Sequence, residues 1–353
     1  MKLALNQAKK NLGNTNQNPS VGCIITKNNS VIAAGATSIK GRPHAEHNAI
    51  IFSKEKLNGC EIFSTLEPCS HHGVTPPCTN KIIKKKFKKV YFSLMDPDVR
   101  SFNKSSKIFN KKKIIVNKGI NYKSIKDFYR SYFKSKNEIF PFLSCKLAIS
   151  KDFYTIDKKN KWITNNYSRA RGHLIRAEHD CLITSSTTII KDNPELTCRI
   201  DGLKYTSPAR IILDNKLKIP IKSKIILEAK KYKTIIFYNK LNKKKIRDLK
   251  GLNVDMYKIP LDEEGNLDLY QALITSKELG YQRILLESGG KLISNFLNKN
   301  LIDDFKLFVS NKNLGKNGMN SIKKIINFYL RHKISFNEKV NLFGDKLISY
   351  KIK

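Results

Sequence analysis

The sequence predicts an α/β protein of two domains, and three observations carry this. The chain has 353 residues, long for one domain and comfortable for two, and 40% of them are hydrophobic, enough for a core in each. Short apolar stretches rich in β-branched residues alternate with helix-spaced segments along most of its length. Residues 128–142, FYRSYFKSKNEIFPF, break that alternation and place the boundary near residue 140.

The elements follow in order. SVGCIITK and VIAAGA read as a β-hairpin turning at Asn28-Asn29-Ser30. HAEHNAIIFSKEK has helical spacing, with Ala45, Ala49, Ile50 and Phe52 on one face. CEIFSTL is a strand, PPCTNKIIKKK opens a helix with proline near its start, and KVYFSLMD is another strand. Beyond residue 140, FLSCKLAIS begins a second series. A helix over about 166–179, strands CLITS, ARIILD and TIIFY, a helix over about 268–279, and strands RILLE and FKLFVS complete it. No internal repeat is present. The runs Lys84–Lys86 and Lys243–Lys245 read as solvated helix faces.

The net charge of +38 raises nucleic acid as a partner. However, 56 of the 67 basic residues are lysine, spread along the whole chain, and only 11 are arginine. A dedicated nucleic-acid surface concentrates charge and uses the planar arginine fork. The composition therefore implies a general lysine bias, with no specific nucleic-acid partner. No run of about 18 apolar residues exists, so no membrane span is expected, and the N-terminus lacks the pattern of a signal peptide. The expected location is the cytoplasm. Seven cysteines without an export signal argue against a disulfide framework. Five sit in apolar or β-like settings, whereas Cys69 and Cys78 flank a polar, proline-rich loop.

PHAEHNAI, residues 43–50, places His44 two positions before Glu46. Pro68-Cys69 and Cys78 follow at plausible separation. Catalytic zinc takes three nitrogen or sulfur ligands and keeps a fourth position for water. His44, Cys69 and Cys78 supply such a set, and Glu46 can reach the water without ligating. If the His-Ala-Glu and Pro-Cys turns both sit at helix N-termini, the helix dipoles favour thiolates there. This is the constellation of hydrolytic deamination at an amidine-like carbon, with Glu46 as proton shuttle. The general signature has two residues between the cysteines, and here there are eight. The plainer alternative is a pair of ordinary thiols on a loop.

The longer spacing has its own resemblance. TLEPCSHHGVTPPC, NPSVGCII and GRPHAEHNAI closely resemble the deaminase half of the bifunctional riboflavin-biosynthesis deaminase–reductases. The resemblance implies zinc held by His44, Cys69 and Cys78, with Glu46 catalytic. It also implies pyrimidine contacts from Asn18 and His71, and no ligand role for His47. It continues through CKLAIS, WIT, RGHLIRAEHDCLITSSTTIIKDNPELTCR, PARIILD and LLESGGKL, covering nearly the whole chain. It implies a cytidine-deaminase-like three-layer domain over 1–140 and a dihydrofolate-reductase-like domain over 141–353. The second would use NADPH to reduce the ribosyl group of the deaminated pyrimidine phosphate to a ribityl chain. Substrate positions by resemblance are Arg176, Leu196, Arg199 and Glu287. Cofactor positions are Ala148, Trp162, Thr188, Asp192, Gly289 and Gly290.

Local chemistry agrees with a phosphate-handling second half. Gly289-Gly290 follows a strand ending at Glu287 and opens a helix, although no Gly-x-Gly-x-x-Gly exists. Five of the 11 arginines, Arg169, Arg171, Arg176, Arg199 and Arg210, fall between residues 169 and 210. In a lysine-rich chain this suggests sites where a bidentate fork is required, the alternative being a solvated helix face. The chain departs from the family in three places. It has Asp152-Phe153 where Asp-Gly is usual, a shorter loop before Trp162, and DPDVRSFNKSS, residues 96–106, in place of Asp-Pro-Asn-Pro and its following glycines. Two other functions stay open at this point. One is a nucleic-acid base deaminase with a basic second half, and the other a deaminase whose second domain is not catalytic. A homo-oligomer also stays open.

Overall fold

A computed structural model describes residues 1–353. The chain divides into two compact units, Met1–Ile139 and Phe140–Lys353, each with its own main sheet. No helix is long and apolar enough to cross a membrane.

The first unit runs α1 (Lys2–Lys9), β1 (Gly22–Lys27), β2 (Ser30–Ala36), α2 (Ala45–Phe52), β3 (Glu61–Leu66), α3 (Cys78–Lys84), β4 (Lys89–Leu94), α4 (Ser105–Lys111), β5 (Ile115–Lys118), α5 (Tyr122–Phe128) and α6 (Arg130–Asn137). The sheet order is β2-β1-β3-β4-β5, with β1 antiparallel to both neighbours and β3, β4 and β5 parallel. The hairpin turns at Asn28 and Asn29, with φ of 47° and 63°, a region asparagine tolerates. Two glycines let helices lie directly on the hairpin. A Cβ at Gly22 would fall 1.8 Å from the Ala4 carbonyl oxygen, and one at Gly35 2.3 Å from that of Ala45. The second contact presses α2 flat on β2 and so fixes the direction of its first turn, which carries Glu46.

Two expectations are revised here. The helix of HAEHNAIIFSKEK stops at Phe52, and Ser53 is already extended. Ala45, Ala49 and Ile50 are buried, but Phe52 is 65% exposed, because no further turn packs beside its ring. Residues 130–137 are helical, although the segment read as a break. Just before and within that helix, Tyr129 and Tyr132 are buried, and the Tyr129 hydroxyl meets Thr65 Oγ1 at 2.6 Å.

The second unit has a nine-stranded sheet ordered β11-β10-β9-β8-β12-β6-β13-β16-β15. Its strands are β6 (Phe142–Ile149), β8 (Cys181–Ser185), β9 (Ala209–Leu213), β10 (Thr234–Tyr238), β11 (Val254–Lys258), β12 (Arg283–Leu286), β13 (Asp304–Val309), β15 (Ile334–Asn337) and β16 (Lys346–Lys351). β7 (Tyr154–Asp157) and β14 (Gly318–Ser321) form a separate pair. The seven strands from β11 to β13 are parallel, and β16 and β15 close the sheet antiparallel. The helices are α7 (Asn166–Ala177), α8 (Ser186–Asp192), α9 (Lys224–Leu227), α10 (Lys243–Gly251), α11 (Leu269–Glu278), α12 (Gly290–Asn298) and α13 (Lys323–Tyr329). Alternate strand residues feed opposite faces. Ile183, Ile211, Ile284 and Phe305 join one apolar cluster, while Leu182, Ile212, Leu285 and Phe308 join the other. β8, β12 and β6 are neighbours, so their carboxyl ends lie side by side, where open parallel sheets place ligands.

Candidate functional sites

In the first unit three ligand atoms meet. His44 caps α2, Cys78 opens α3, and Cys69 follows β3. The side-chain donors of His44, Cys69 and Cys78 all lie within 4.8 Å of one another. His44 Nδ1 is 3.5 Å from each sulfur. The Cys78 backbone N–H, at the start of α3, donates to Cys69 Sγ at 3.2 Å. The Cys78 thiol, then that N–H and the His44 ring, hold the Cys69 thiol well below its usual range, against its burial. One imidazole and two sulfurs, one of them poised as thiolate, are a donor set that fits zinc.

Glu46 is 3% exposed and stands beside this cluster without belonging to it. Its Oε1 accepts from Ser64 Oγ at 3.1 Å, and its Oε2 lies 3.5 Å from Cys78 Sγ. Burial, with the Cys69 sulfur nearby, pushes its carboxyl above the usual range. His47 points elsewhere, with Nδ1 against Lys81 Nζ. Asn18 donates through Nδ2 to the Gly41 carbonyl at 3.1 Å, and Asn48 ties Ala36, Ser38 and Pro43 together, so the segment leading into His44 is fixed.

His71 is held through Nδ1 by Ser101 Oγ at 2.8 Å. Ser101 is fully buried and comes from the 96–106 segment that departs from the family. Glu67 anchors this segment. Its carboxylate accepts from the N–H groups of Asp96, Asn103 and Ser105 and from the Ser105 hydroxyl. Asn103 has φ of 54°, so an asparagine occupies a left-handed position in a stretch where the family uses glycines. The sequence reading missed Glu67 and Ser101. Glu67 stood in the TLEPC string, but nothing in the string says that its carboxylate collects backbone donors.

In the second unit, the carboxyl ends of β6, β12 and β8 gather a different set. Arg176, on α7, donates from Nε to Glu287 Oε1 at 2.7 Å and from Nη2 to Oε2 at 2.9 Å. Its Nη1 donates to the Thr197 carbonyl at 3.0 Å. The fork expected for substrate is therefore spent on the chain itself, because Glu287 arrives at the end of β12 with matching planar geometry. Lys146 Nζ lies 3.8 Å from Glu287 Oε2. Burial pushes the Lys146 ammonium down, while Glu287 holds it up. Burial likewise opposes the Glu287 charge, but Arg176 and Lys146 outweigh it and hold that carboxyl at about 2. Lys146 was missed among many lysines. Its signal was its place inside the apolar strand CKLAIS, where a charged residue is costly without a partner.

The remaining positions separate. Arg199 is exposed, with Nη1 on Glu195 Oε2 at 3.0 Å, and keeps donors free for an anion. Leu196 is 4% exposed within an apolar cluster, with φ of 55°, so only its backbone is available to a ligand. Its side chain is a core residue. Thr188 Oγ1 meets Ser185 Oγ and Ser288 Oγ within 3.1 Å, a hydroxyl cluster where β8 and β12 end. Gly289 has an ordinary negative φ, and a Cβ there would meet nothing within 4 Å. Neither conformation nor a protein neighbour requires glycine there, so the open approach suits a group outside the chain, such as a cofactor phosphate. Trp162 is half-exposed under the Arg169 guanidinium, Asp192 is exposed at the end of α8, and Ala148 lies on β6. The altered Asp152-Phe153 turn is clasped to the 314–315 segment, since Asp152 accepts from the N–H groups of Leu314 and Gly315. Phe153 has φ of 70° and packs on the core.

Residues 1–94 match the profile described as the cytidine and deoxycytidylate deaminase zinc-binding region, and residues 141–333 match the RibD C-terminal domain. The riboflavin biosynthesis protein RibD of Aquifex aeolicus is 31% identical, with 99% of this chain and 97% of that protein covered.

The chain belongs to the RibD family.

The Escherichia coli RibD is 28% identical, with 89% of this chain and 88% of that protein covered. Among solved structures, the Thermotoga maritima diaminohydroxyphosphoribosylaminopyrimidine deaminase/5-amino-6-(5-phosphoribosylamino)uracil reductase superposes with a TM-score of 0.83 at 29% identity, covering 99% of this chain and 97% of that one. A RibD of Acinetobacter baumannii gives 0.82 at 28% identity, with the same coverage. RibD membership makes the first unit cytidine-deaminase-like and the second the RibD reductase domain with its dihydrofolate-reductase-like fold.

Proposed function

We propose that residues 1–140 remove the amino group of 2,5-diamino-6-(5-phosphoribosylamino)pyrimidin-4-one as ammonia. Residues 141–353 then reduce the ribosyl group of 5-amino-6-(5-phosphoribosylamino)uracil to ribityl. As a RibD protein the chain is a bifunctional deaminase–reductase of riboflavin biosynthesis, using zinc and NADPH. The observation that carries the residue assignment is the His44–Cys69–Cys78 cluster with buried Glu46 beside it.

His44, Cys69 and Cys78 would hold the zinc, which when bound supplies the Lewis acidity that makes water a nucleophile near neutral pH. Ser64 pins Glu46 Oε1, leaving Oε2 toward the cluster to carry a proton from water to the ring nitrogen and then to the departing amine. His71, oriented by Ser101, and Asn18 border the pyrimidine. In the second unit, NADPH when bound supplies the hydride to the sugar C1′. Lys146 Nζ gives a proton to the ring oxygen as the C1′–O bond opens, Glu287 holds that ammonium, and Arg176 holds Glu287. Arg199 and the Leu196 backbone lie toward the substrate. Gly289-Gly290, Thr188, Trp162, Ala148 and Asp192 lie toward the cofactor.

This charged, partnered cluster at Lys146 and Glu287 favours a catalytic second unit over a scaffold. The expected setting is the cytoplasm, with a small phosphorylated pyrimidine and no specific nucleic acid as partner. Self-association is to be read by light scattering. The deciding experiment incubates the protein with the diaminopyrimidine phosphate, with and without NADPH. Ammonia should appear in both, and cofactor oxidation only after deamination. Ammonia without any NADPH oxidation would return the second unit to a structural role.

A further inference from the structure

We infer that Arg42 recognises the phosphate of the deaminase substrate, and so sets the preference of that site for a phosphorylated compound. The inference rests on the deaminase reading above. Arg42 lies two residues before His44, on a segment tied down by Asn48 through Ser38 and Pro43. Its Nη1 donates to Thr75 Oγ1 at 2.8 Å, on the loop between Cys69 and Cys78. One edge of the guanidinium is thus fixed at the border of the metal-ligating cluster.

The other edge has no protein acceptor. Arg42 makes contacts with Thr75 and His44 and pairs with no carboxylate. That is unusual for a half-buried guanidinium, since arginine planes are ordinarily matched by carboxylate or phosphate oxygens. Nη2 lies 3.5 Å from the point where a Cβ on Gly73 would sit, and His71 Nε2 lies 4.0 Å from the same point. The two nitrogens therefore converge over Gly73, whose missing side chain leaves that space open. The His71 Nδ1 is engaged with Ser101, so Nε2 is the ring nitrogen that faces outward.

On the cluster side, Arg42 Nη1 stands 3.5 Å from His44 Nε2. His44 addresses the two sulfurs through Nδ1, so as a ligand it carries its proton on Nε2. On that side Arg42 then meets a second donor, and its one protein acceptor is Thr75 Oγ1. Donors at Arg42, His44 and Thr75, with the outward His71 nitrogen, suit a group with acceptors on every oxygen. A phosphate has that chemistry, and a neutral base or a cation does not. The phosphoribosyl substrate brings one phosphate to this site.

The alternative is that Arg42 is only a strut for the 71–77 loop. Deaminase kinetics of the full chain, zinc-loaded, separate the two. Parent, Arg42→Gln and Arg42→Lys are assayed with the phosphorylated substrate and with its dephosphorylated riboside, and zinc content is measured in each. Arg42→Gln should raise KM for the phosphorylated compound by about ten- to a hundred-fold more than for the riboside. Arg42→Lys should recover part of the loss, because it restores charge without the fork. Inorganic phosphate should compete with the phosphorylated substrate in the parent and much less in Arg42→Gln. Equal loss on both substrates, or loss of zinc, would make Arg42 a strut and overturn the inference. No ammonia from either substrate in the parent would instead sink the deaminase reading itself.

Discussion

Replacing Arg176 by methionine removes the fork but keeps much of the side-chain volume. Both edges of that guanidinium are committed, at 2.7 and 2.9 Å to Glu287 and at 3.0 Å to the Thr197 carbonyl. The paired side chains are 14% and 9% exposed, so solvent cannot replace the lost partner. The Glu287 carboxyl falls from the usual 4.5 to about 2, against its burial and chiefly because of Arg176. At 1.36 kcal/mol per pH unit, this is worth about 3 kcal/mol. Breaking a buried pair from one side costs about 3–5 kcal/mol, which agrees. The sign follows from the depressed value. This stability is fully present above the unfolded carboxyl pKa, near 4.5, and is lost as pH falls toward 2. Urea unfolding of the second unit's transition should therefore show Arg176→Met about 3 kcal/mol less stable at pH 7, with the gap narrowing below about pH 4.5. Reductase kinetics give a second axis. Losing a residue that orients Glu287 lowers kcat, and Arg176→Lys, with charge but no fork, should lower it about ten- to a hundred-fold. A variant within 1 kcal/mol of the parent at pH 7 would refute the stability reasoning. A raised KM with kcat intact would restore Arg176 as a substrate fork.

Cys69→Ser and Cys78→Ser should each lose most of the bound zinc by metal analysis, and full zinc in both would remove the ligand assignment. Glu46→Gln should keep zinc and NADPH oxidation on supplied deaminated substrate, while ammonia release falls by about 10²–10⁴-fold; near-parent ammonia release would exclude Glu46 as the shuttle. Phe153→Gly should destabilise the second unit by about 1 kcal/mol, because the packed ring, worth roughly 2 kcal/mol when partly buried, outweighs about 1 kcal/mol of left-handed strain. A more stable glycine variant in urea would reverse that ranking.

The order of chemical groups along the chain was legible because it is local. His44 and Glu46 sit two residues apart, so one helix start delivers both, and Pro68-Cys69 and Pro77-Cys78 put each sulfur at a turn or a helix N-terminus. The apolar strands were equally readable as strands, and once they are placed, period two decides which side chains of β8, β9 and β12 enter which apolar cluster. Phe52, which is exposed, was misread as sharing the buried face because face membership is a local property and burial is not. The carboxylate that Arg176 meets was not legible for a related reason. Sequence shows that a fork is present, but not which carboxylate reaches it first.

What the sequence by itself determined was the two-domain α/β plan, the candidate zinc donors and the family, because each depends on residue type and short spacing. Only the tertiary structure decided which polar groups pair. Glu287 meets Arg176 across 111 positions, and Glu67 gathers N–H groups up to 38 positions away to deliver Ser101 to His71. Such pairings arise when sheet order brings distant strand ends together, and their strength comes from burial that excludes water as a competing partner. Burial of that kind is a property of the packed chain, not of any segment in it.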